Sequence, residues 1–332
     1  MTDEEMQKVL GKKPTPKYYY RLDDYSYSNE SKERVLSGIR DLDYLTNGFE
    51  LGCITIWTGF TNAGKTTVMT MLAKKAIEQG ERIFFFNGEQ TKEDFKNNLY
   101  VQCCQENELI TKRYKDSCVE DTFISTEKAF KLEQQYGNKI YIYNNEAPRK
   151  IDDLLYAMED LRNTQKIKVF FLDNFMQIDM SSDNVFQEQT LIMEKLRTFA
   201  INKKVHIHLV AHPRKCEKFQ TRLTLYDVAG SSNIVNKAYN IISIVRVDSV
   251  KEDEKAYEKL EKELLQEKYV PELCGTVLEV LKTKGRKCGI VAMTYNAKLK
   301  SYTNAPKLDN AALMQRIKFN NAKHNEEVIP WK

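Results

Sequence analysis

The stretch Gly59-Phe-Thr-Asn-Ala-Gly64-Lys65-Thr66 satisfies the P-loop pattern, a glycine-rich turn closed by lysine and threonine. Its glycines let backbone N–H groups curl around phosphate oxygens, and a helix starting there adds positive potential. In that arrangement Gly59, Thr61, Asn62, Ala63, Gly64, Lys65, Thr66 and Thr67 hold a nucleotide. Lys65 reaches the β- and γ-phosphates and the Thr66 hydroxyl binds Mg²⁺. ATP, or another NTP or dNTP, is therefore expected together with Mg²⁺. The metal also needs a carboxylate at the end of a buried strand, and Lys168-Val-Phe-Phe-Leu-Asp173-Asn174 offers Asp173. Hydrolysis needs a group to polarise the attacking water, and Phe84-Phe-Phe-Asn-Gly-Glu89 sets Glu89 just past an apolar run. His212, in His208-Leu-Val-Ala-His212-Pro-Arg-Lys215, closes another such run, where a side chain can touch the γ-phosphate. From spacing alone Glu89 reads equally as an ordinary exposed acid, and His212 as a satisfied structural histidine.

These groups meet only if the chain brings several strand ends together. From Val35 onward, short β-prone runs alternate with helical stretches, which predicts parallel strands joined by crossover helices. Strands are expected at Ile54–Thr58, Ile83–Asn87, Ile140–Tyr143, Val169–Asp173, Val205–Ala211 and Ile241–Val245. Several are nearly continuous Val, Ile, Phe and Leu, as strands covered on both faces require. Helices are expected at Thr66–Gln79, closing at Gly80, at Thr91–Gln102, with Thr91 and Asp94 in capping-box spacing, and at Ile151–Arg162, Phe186–Lys203 and Val250–Lys268. A hairpin of Thr276–Lys282 and Ile290–Tyr295 closes the core. The predicted class is α/β, with a mostly parallel central sheet flanked by helices. Residues 1–34 read as an arm or linker, with capping-box spacing at Thr2 and Glu5 and a tyrosine-rich stretch from Tyr18 to Tyr27. Residues 35–304 read as the main domain and 305–332 as a polar tail ending in a helix.

Composition narrows the class without identifying it. The 332 residues are 42% hydrophobic and 30% charged, the balance of a soluble globular protein. No apolar run approaches the roughly 18 residues a membrane span needs, and the acidic start Met1-Thr-Asp-Glu-Glu-Met lacks the apolar segment of a signal peptide. A cytoplasmic protein without a membrane partner is expected. Seven scattered cysteines without a C-x-x-C pair argue against a zinc site or a disulfide framework. A net charge of +4 is too small to diagnose a nucleic-acid binder, so only the local placement of Lys and Arg can.

Taken in order, these segments resemble the RecA-like motor of the DnaB family of hexameric helicases, most closely the branch containing the phage T7 gene 4 helicase and Twinkle. The similarity spans about Val35 to Tyr302. Ser37-Gly-Ile-Arg-Asp-Leu-Asp43 through Gly52 is similar to the family's entry into the P-loop, and Phe171-Leu-Asp173-Asn174-Phe-Met-Gln177 to its Walker B segment. Ala211-His212-Pro-Arg-Lys215 resembles the Twinkle-type sensor motif, and Asp227-Val-Ala-Gly-Ser-Ser-Asn-Ile234 the family's DNA-binding loop. The resemblance implies Glu89 as the catalytic glutamate and His212 as the γ-phosphate sensor. It also implies a homo-oligomeric ring, a hexamer in the family's manner, moving 5′–3′ on single-stranded or forked DNA with ATP hydrolysed between subunits.

In such rings a neighbour contributes a cation to the transferring phosphoryl group. The matching segment is Leu278-Glu-Val-Leu-Lys282-Thr-Lys284-Gly-Arg286. Where the family has Lys-x-Arg, the finger position here holds Lys284, with Arg286 two residues later, so either can serve. For DNA, one loop offers Arg214, Lys215, Lys218 and Arg222, and the next offers Ser231, Ser232, Asn233 and Lys237. Such groups suit a phosphate backbone read without base specificity. No primase-like region precedes the motor, which implies a separate primase or loader, or a motor-only helicase. The competing readings are a RecA-like recombinase, a KaiC-like ATPase without unwinding activity, and a nucleotide-dependent helicase-loading protein.

Overall fold

A computed structural model describes residues 21, 31–113, 120–180, 184–214, 220–228 and 232–313. Contacts divide the chain into residues 1–32 and 33–332, and all the elements named below belong to the second unit. The expected capping box at Thr2 and Glu5, the tyrosine-rich stretch and the C-terminal tail helix lie outside the described residues.

Six strands of the central sheet run parallel: β3 (Ile54–Thr58), β4 (Ile83–Asn87), β7 (Ile140–Ile142), β8 (Val169–Asp173), β9 (His206–Val210) and β10 (Asn240–Arg246). Three more, β11 (Thr276–Thr283), β12 (Gly289–Asn296) and β13 (Ser301–Asn304), extend one edge antiparallel. The nine strands lie in the order β13-β12-β11-β10-β3-β9-β8-β4-β7. A small ladder of β1 (Arg34–Val35) and β2 (Phe49–Glu50) flanks α1 (Arg40–Thr46). Every residue of β3, β4, β8 and β9 is buried, so both sheet faces must be apolar. Side chains alternate accordingly. Phe85 and Phe171 enter one layer with Met69, Leu72 and Leu99, whereas Phe84, Phe86 and Phe170 enter the other with Leu154, Met158 and Leu196. The first layer belongs to α2 (Lys65–Glu78) and α3 (Lys92–Gln102), the second to α5 (Ile151–Thr164) and α6 (Val185–Lys203).

Local chemistry sets the helix ends. The Thr91 hydroxyl accepts the Asp94 N–H at 3.1 Å and opens α3. Gly80, at φ +92°, takes the left-handed turn past α2, a conformation that a side chain disfavours. One expected helix is broken: Val250–Lys268 becomes α8 (Val247–Val250) and α9 (Glu254–Gln266). The Asp253 carboxylate caps the second by accepting the Ala256 N–H, a local alternative to continuing the helix. The sequence reading also missed a hairpin of β5 (Leu109–Arg113) and β6 (Glu120–Ile124), followed by α4 (Thr126–Tyr136). Four of the five β5 residues are exposed, so no apolar run betrays the strand. β13 adds a third member to the expected closing hairpin.

Candidate functional site

β3, β4, β8 and β9 all end at the same edge of the sheet, where an open parallel sheet offers its ligand crevice. The loop after β3 turns through Asn62 at φ 62° and Gly64 at φ 94° before α2 starts. Gly64 is required twice over: besides its left-handed φ, a Cβ there would sit 2.1 Å from the Tyr302 hydroxyl. α2 has no side-chain cap at its N-terminus, so its first N–H groups need another partner. The resulting cleft, of about 340 Å³, is lined by Thr61, Asn62, Lys65, Thr66 and Thr67 together with Glu89, Asp173 and His212. Gly59 and Ala63 stand behind it. The Gly59 Cα packs so close to the Ile244 carbonyl that a Cβ would lie 2.6 Å from it, and Ala63 is 4% exposed.

Asp173 is buried, and its carboxylate accepts the Thr66 hydroxyl at 2.8 Å. Burial pushes its pKa up to about 6 against the opposing bond from Thr66. A buried carboxylate and a hydroxyl in contact at the root of a phosphate-binding turn form the hard oxygen donor set that suits Mg²⁺. The Lys65 ammonium donates to the carbonyls of Gly59 at 2.8 Å and Phe60 at 2.9 Å, lying along the loop. Burial lowers its pKa, while the charges of Asp173 and Glu89 act in the other direction.

The structure brings Glu89 and His212 together through a residue the sequence reading did not single out. The Asn174 side-chain amide donates to Glu89 Oε1 and lies 2.9 Å from His212 Nε2. His212 Nε2 is 3.5 Å from Glu89 Oε1. Asn174 is 1% exposed, so a buried amide orients two partly exposed groups from different strands. Its position next to Asp173 at a strand end was the available signal.

The two finger candidates lie at the opposite edge of the sheet. Thr283, the last residue of β11, pairs with Asn240, the first of β10, whereas the P-loop follows the last residue of β3. A five-residue strand spans about 17 Å, so neither Lys284 nor Arg286 reaches the cleft of its own chain. They also differ from each other. The Arg286 N–H donates to the Leu45 carbonyl at 3.2 Å and its guanidinium lies 5.1 Å from the Tyr44 ring centre. Between them, Gly285 presses on α1 so closely that a Cβ would sit 1.9 Å from the Thr46 carbonyl oxygen. Lys284 and Arg286 are both exposed.

Among the expected DNA contacts, Arg214 is exposed at the neck of its loop, where Pro213 bridges to Val228 and the Arg214 N–H donates to the Asp227 carbonyl at 2.7 Å. Lys215, Lys218 and Ser231 fall outside the described residues. Ser232 and Asn233 begin α7 (Ser232–Lys237). Two of the expected contacts are engaged within the chain. Arg222 donates to Glu279 at 2.6 Å and to Glu263 at 2.7 Å, so its guanidinium is taken up by two carboxylates within the chain. Lys237 is only 16% exposed and lies 3.4 Å from Glu194. Both sequence positions suited a basic loop, and neither pairing is visible before the distant acids are folded against them.

Residues 35–304 match the DnaB-like helicase C-terminal domain family. The chain belongs to this family. A curated relative, the replicative DNA helicase DnaB of Mycoplasma pneumoniae, is 24% identical over 228 residues, covering 64% of this chain and 46% of that protein. The chain thus spans about half the length of the curated relative it matches. Among solved structures, one ATPase domain is similar over 92% of this chain and 98% of its own, with TM-score 0.63 and 15% identity. A DnaB-like replicative helicase, described with its interactions with primase, gives TM-score 0.64 at 15% identity over 92% of this chain and 67% of its own. A KaiC-like protein from Pyrococcus horikoshii gives TM-score 0.54 at 18% identity over 83% of this chain and all of its own. These likenesses show the RecA-like α/β fold common to DnaB-like and KaiC-like ATPase domains. No described helix is long and apolar enough to cross a membrane.

Proposed function

We propose that this DnaB-like chain is the ATP-driven motor of a replicative DNA helicase that works as a ring, with residues 35–304 as the motor, 1–34 as an arm and 305–332 as a tail. The observation that carries this reading is topological. A phosphate- and metal-binding cleft lies at one edge of the sheet, and the family's finger segment lies at the other. Such a chain completes its site only with a neighbour.

In this reading Lys65 binds the β- and γ-phosphates of ATP or another nucleotide, and Thr66 and Asp173 hold Mg²⁺, which neutralises charge on the phosphates. Glu89 orients and polarises the attacking water, and Asn174 fixes its carboxylate. His212 senses the γ-phosphate, and the clamped neck at Pro213 and Val228 passes its position to the basic loop. Lys284 is the cation given in trans, because Arg286 is held against α1. Arg214, Lys215 and Lys218, with residues 231–233, face the DNA backbone. The T7 gene 4 and Twinkle branch is favoured by Ala211-His212-Pro-Arg-Lys215. By the same resemblance we assign 5′–3′ movement, a hexamer, a cytoplasmic setting, and a separate primase or loader as partner.

ATP-driven strand displacement from a forked duplex tests the reading, with Lys65→Ala as the inactive control. Displacement supports the helicase. Nucleotide hydrolysis with filament formation on DNA, and no displacement, would assign the chain to RecA-like ATPases that do not unwind, a reading kept by the likeness to the KaiC-like fold.

A further inference from the structure

Glu89 stands on a turn that is held more firmly than an ordinary exposed acid requires. Its side chain is 48% exposed, whereas Asn87, the last residue of β4 and two places before it, is only 2% exposed. Asn87 Oδ1 accepts the Glu89 N–H at 3.2 Å and the Gln90 N–H at 3.0 Å. An asparagine oxygen that accepts from the backbone just beyond it folds the chain into a local turn. The residue between is fixed as well. The Gly88 N–H donates to the Asp173 carbonyl at 2.9 Å, and a Cβ on Gly88 would lie 2.3 Å from the Gln177 side chain. Gln177 is held in turn by Arg149, whose Nη1 donates to Gln177 Oε1 at 3.2 Å.

The residue type at position 87 is informative. Asn87 pairs with Asp173 across β4 and β8, and paired residues on neighbouring parallel strands point to one face of the sheet, roughly 4.8 Å apart. An aspartate would offer the turn the same oxygen, but it would place a second negative charge beside the buried Asp173 carboxylate, which like charges disfavour. An amide avoids this. The Asn87 amide nitrogen has no hydrogen-bond partner among the described residues. A buried donor left unpaired costs stability, so packing alone does not account for an amide here. Its oxygen alone is used, by the two N–H groups that shape the turn.

We infer that Asn87 is a positioning residue for hydrolysis: by fixing the backbone of residues 88–90 against β8, it sets where the Glu89 carboxylate stands relative to Asp173. The inference rests on the proposed role of Glu89 in polarising the attacking water. Glu89 is then held at two points, its backbone by the Asn87 oxygen and its carboxylate by the Asn174 amide. Gly88, closed in between the Asp173 carbonyl and the Gln177 side chain, keeps the turn from sliding along the strand end.

The test measures kcat for ATP hydrolysis and the affinity for Mg²⁺-ADP in the full chain, for Asn87→Leu and Asn87→Ser, each alone and combined with Glu89→Gln. Asn87→Leu keeps the volume and loses the acceptor, so kcat should fall roughly 10–100-fold, the scale on which a displacement of about 1 Å costs rate. Affinity for ADP should hold. Asn87→Ser keeps a hydroxyl oxygen that can accept from the same N–H groups, and it should recover most of the turnover. In the Glu89→Gln background, Asn87→Leu should cause no further loss, because no carboxylate is left to place. A general loss of stability would lower both backgrounds alike. Gly88→Ala, which drives the same turn away from Gln177, should show the same fall in kcat and carries the test if Asn87→Leu does not fold. Unchanged kcat in the folded variants would overturn the inference, as would a loss confined to ADP affinity or a further loss of equal size in the Glu89→Gln background. Normal hydrolysis by Glu89→Gln alone is a separate outcome: it removes the role of Glu89 itself, and the inference falls with it.

Discussion

Asn174 gives the cleft an order that its charged residues do not supply themselves. Glu89 and His212 follow separate strands, and the Asn174 amide between them contacts both. Glu89→Gln should keep nucleotide binding and lose turnover by about 10²–10⁴-fold, the usual contribution of a general base. An unchanged rate would return Glu89 to an ordinary exposed acid. Lys65→Ala and Asp173→Asn should abolish hydrolysis, and steady-state turnover near that of the unmodified protein in either would remove the assigned site. The finger candidates separate in the same assay. Lys284→Ala should lower DNA-stimulated turnover roughly 10²–10³-fold, since its charge acts only in the transition state. Arg286→Ala should instead show up as a loss of stability of about 0.5–1 kcal/mol, the scale of an exposed cation–π contact. The reverse pattern would exchange their roles. The P-loop was legible because its function resides in one continuous stretch. Asn174 was not, since its partners become neighbours only when β4, β8 and β9 lie side by side.

Between elements, a directed chain of hydrogen bonds crosses the sheet near the Lys284 loop. The Gly285 N–H donates to Thr283 Oγ1, and the Thr283 hydroxyl donates to Asn240 Oδ1. Asn240 Nδ2 donates to Thr55 Oγ1 at 3.0 Å, and Thr55 Oγ1 lies 3.1 Å from His206 Nε2. Because the Glu50 carbonyl can only accept, His206 Nδ1 carries the proton toward it, and Nε2 accepts from Thr55. Burial pushes the His206 pKa down to about 4, and His208 beside it moves the same way. A histidine held neutral contributes stability that is fully present above its unfolded pKa of about 6.5 and is lost as pH falls through the folded value. Urea unfolding should therefore show stability dropping between about pH 6.5 and 4, by on the order of 3 kcal/mol for His206. A flat profile over that window would contradict the buried neutral pair. The parallel strands were readable because each is an uninterrupted apolar run with both faces covered, as Val169–Asp173 shows. The β5–β6 hairpin lies largely exposed, so its pattern carried no such signal. The break at Asp253 hid within a run of charges that reads as one helix.

For the whole molecule, the proposed catalysis between subunits rests on the separation of the nucleotide cleft and the Lys284 loop. In that proposal each chain owns half of two sites, and neither half works without a neighbour. Mixing subunits probes this without an intermediate step. Lys284→Ala subunits are combined with Glu89→Gln subunits, and assembly of mixed rings is confirmed by electron microscopy with distinguishable tags. Where the first kind contributes Glu89 and the second contributes Lys284, the shared site is whole. DNA-stimulated hydrolysis should then rise above that of either parent alone. Mixed rings that hydrolyse no faster than the better parent would contradict a site shared between subunits.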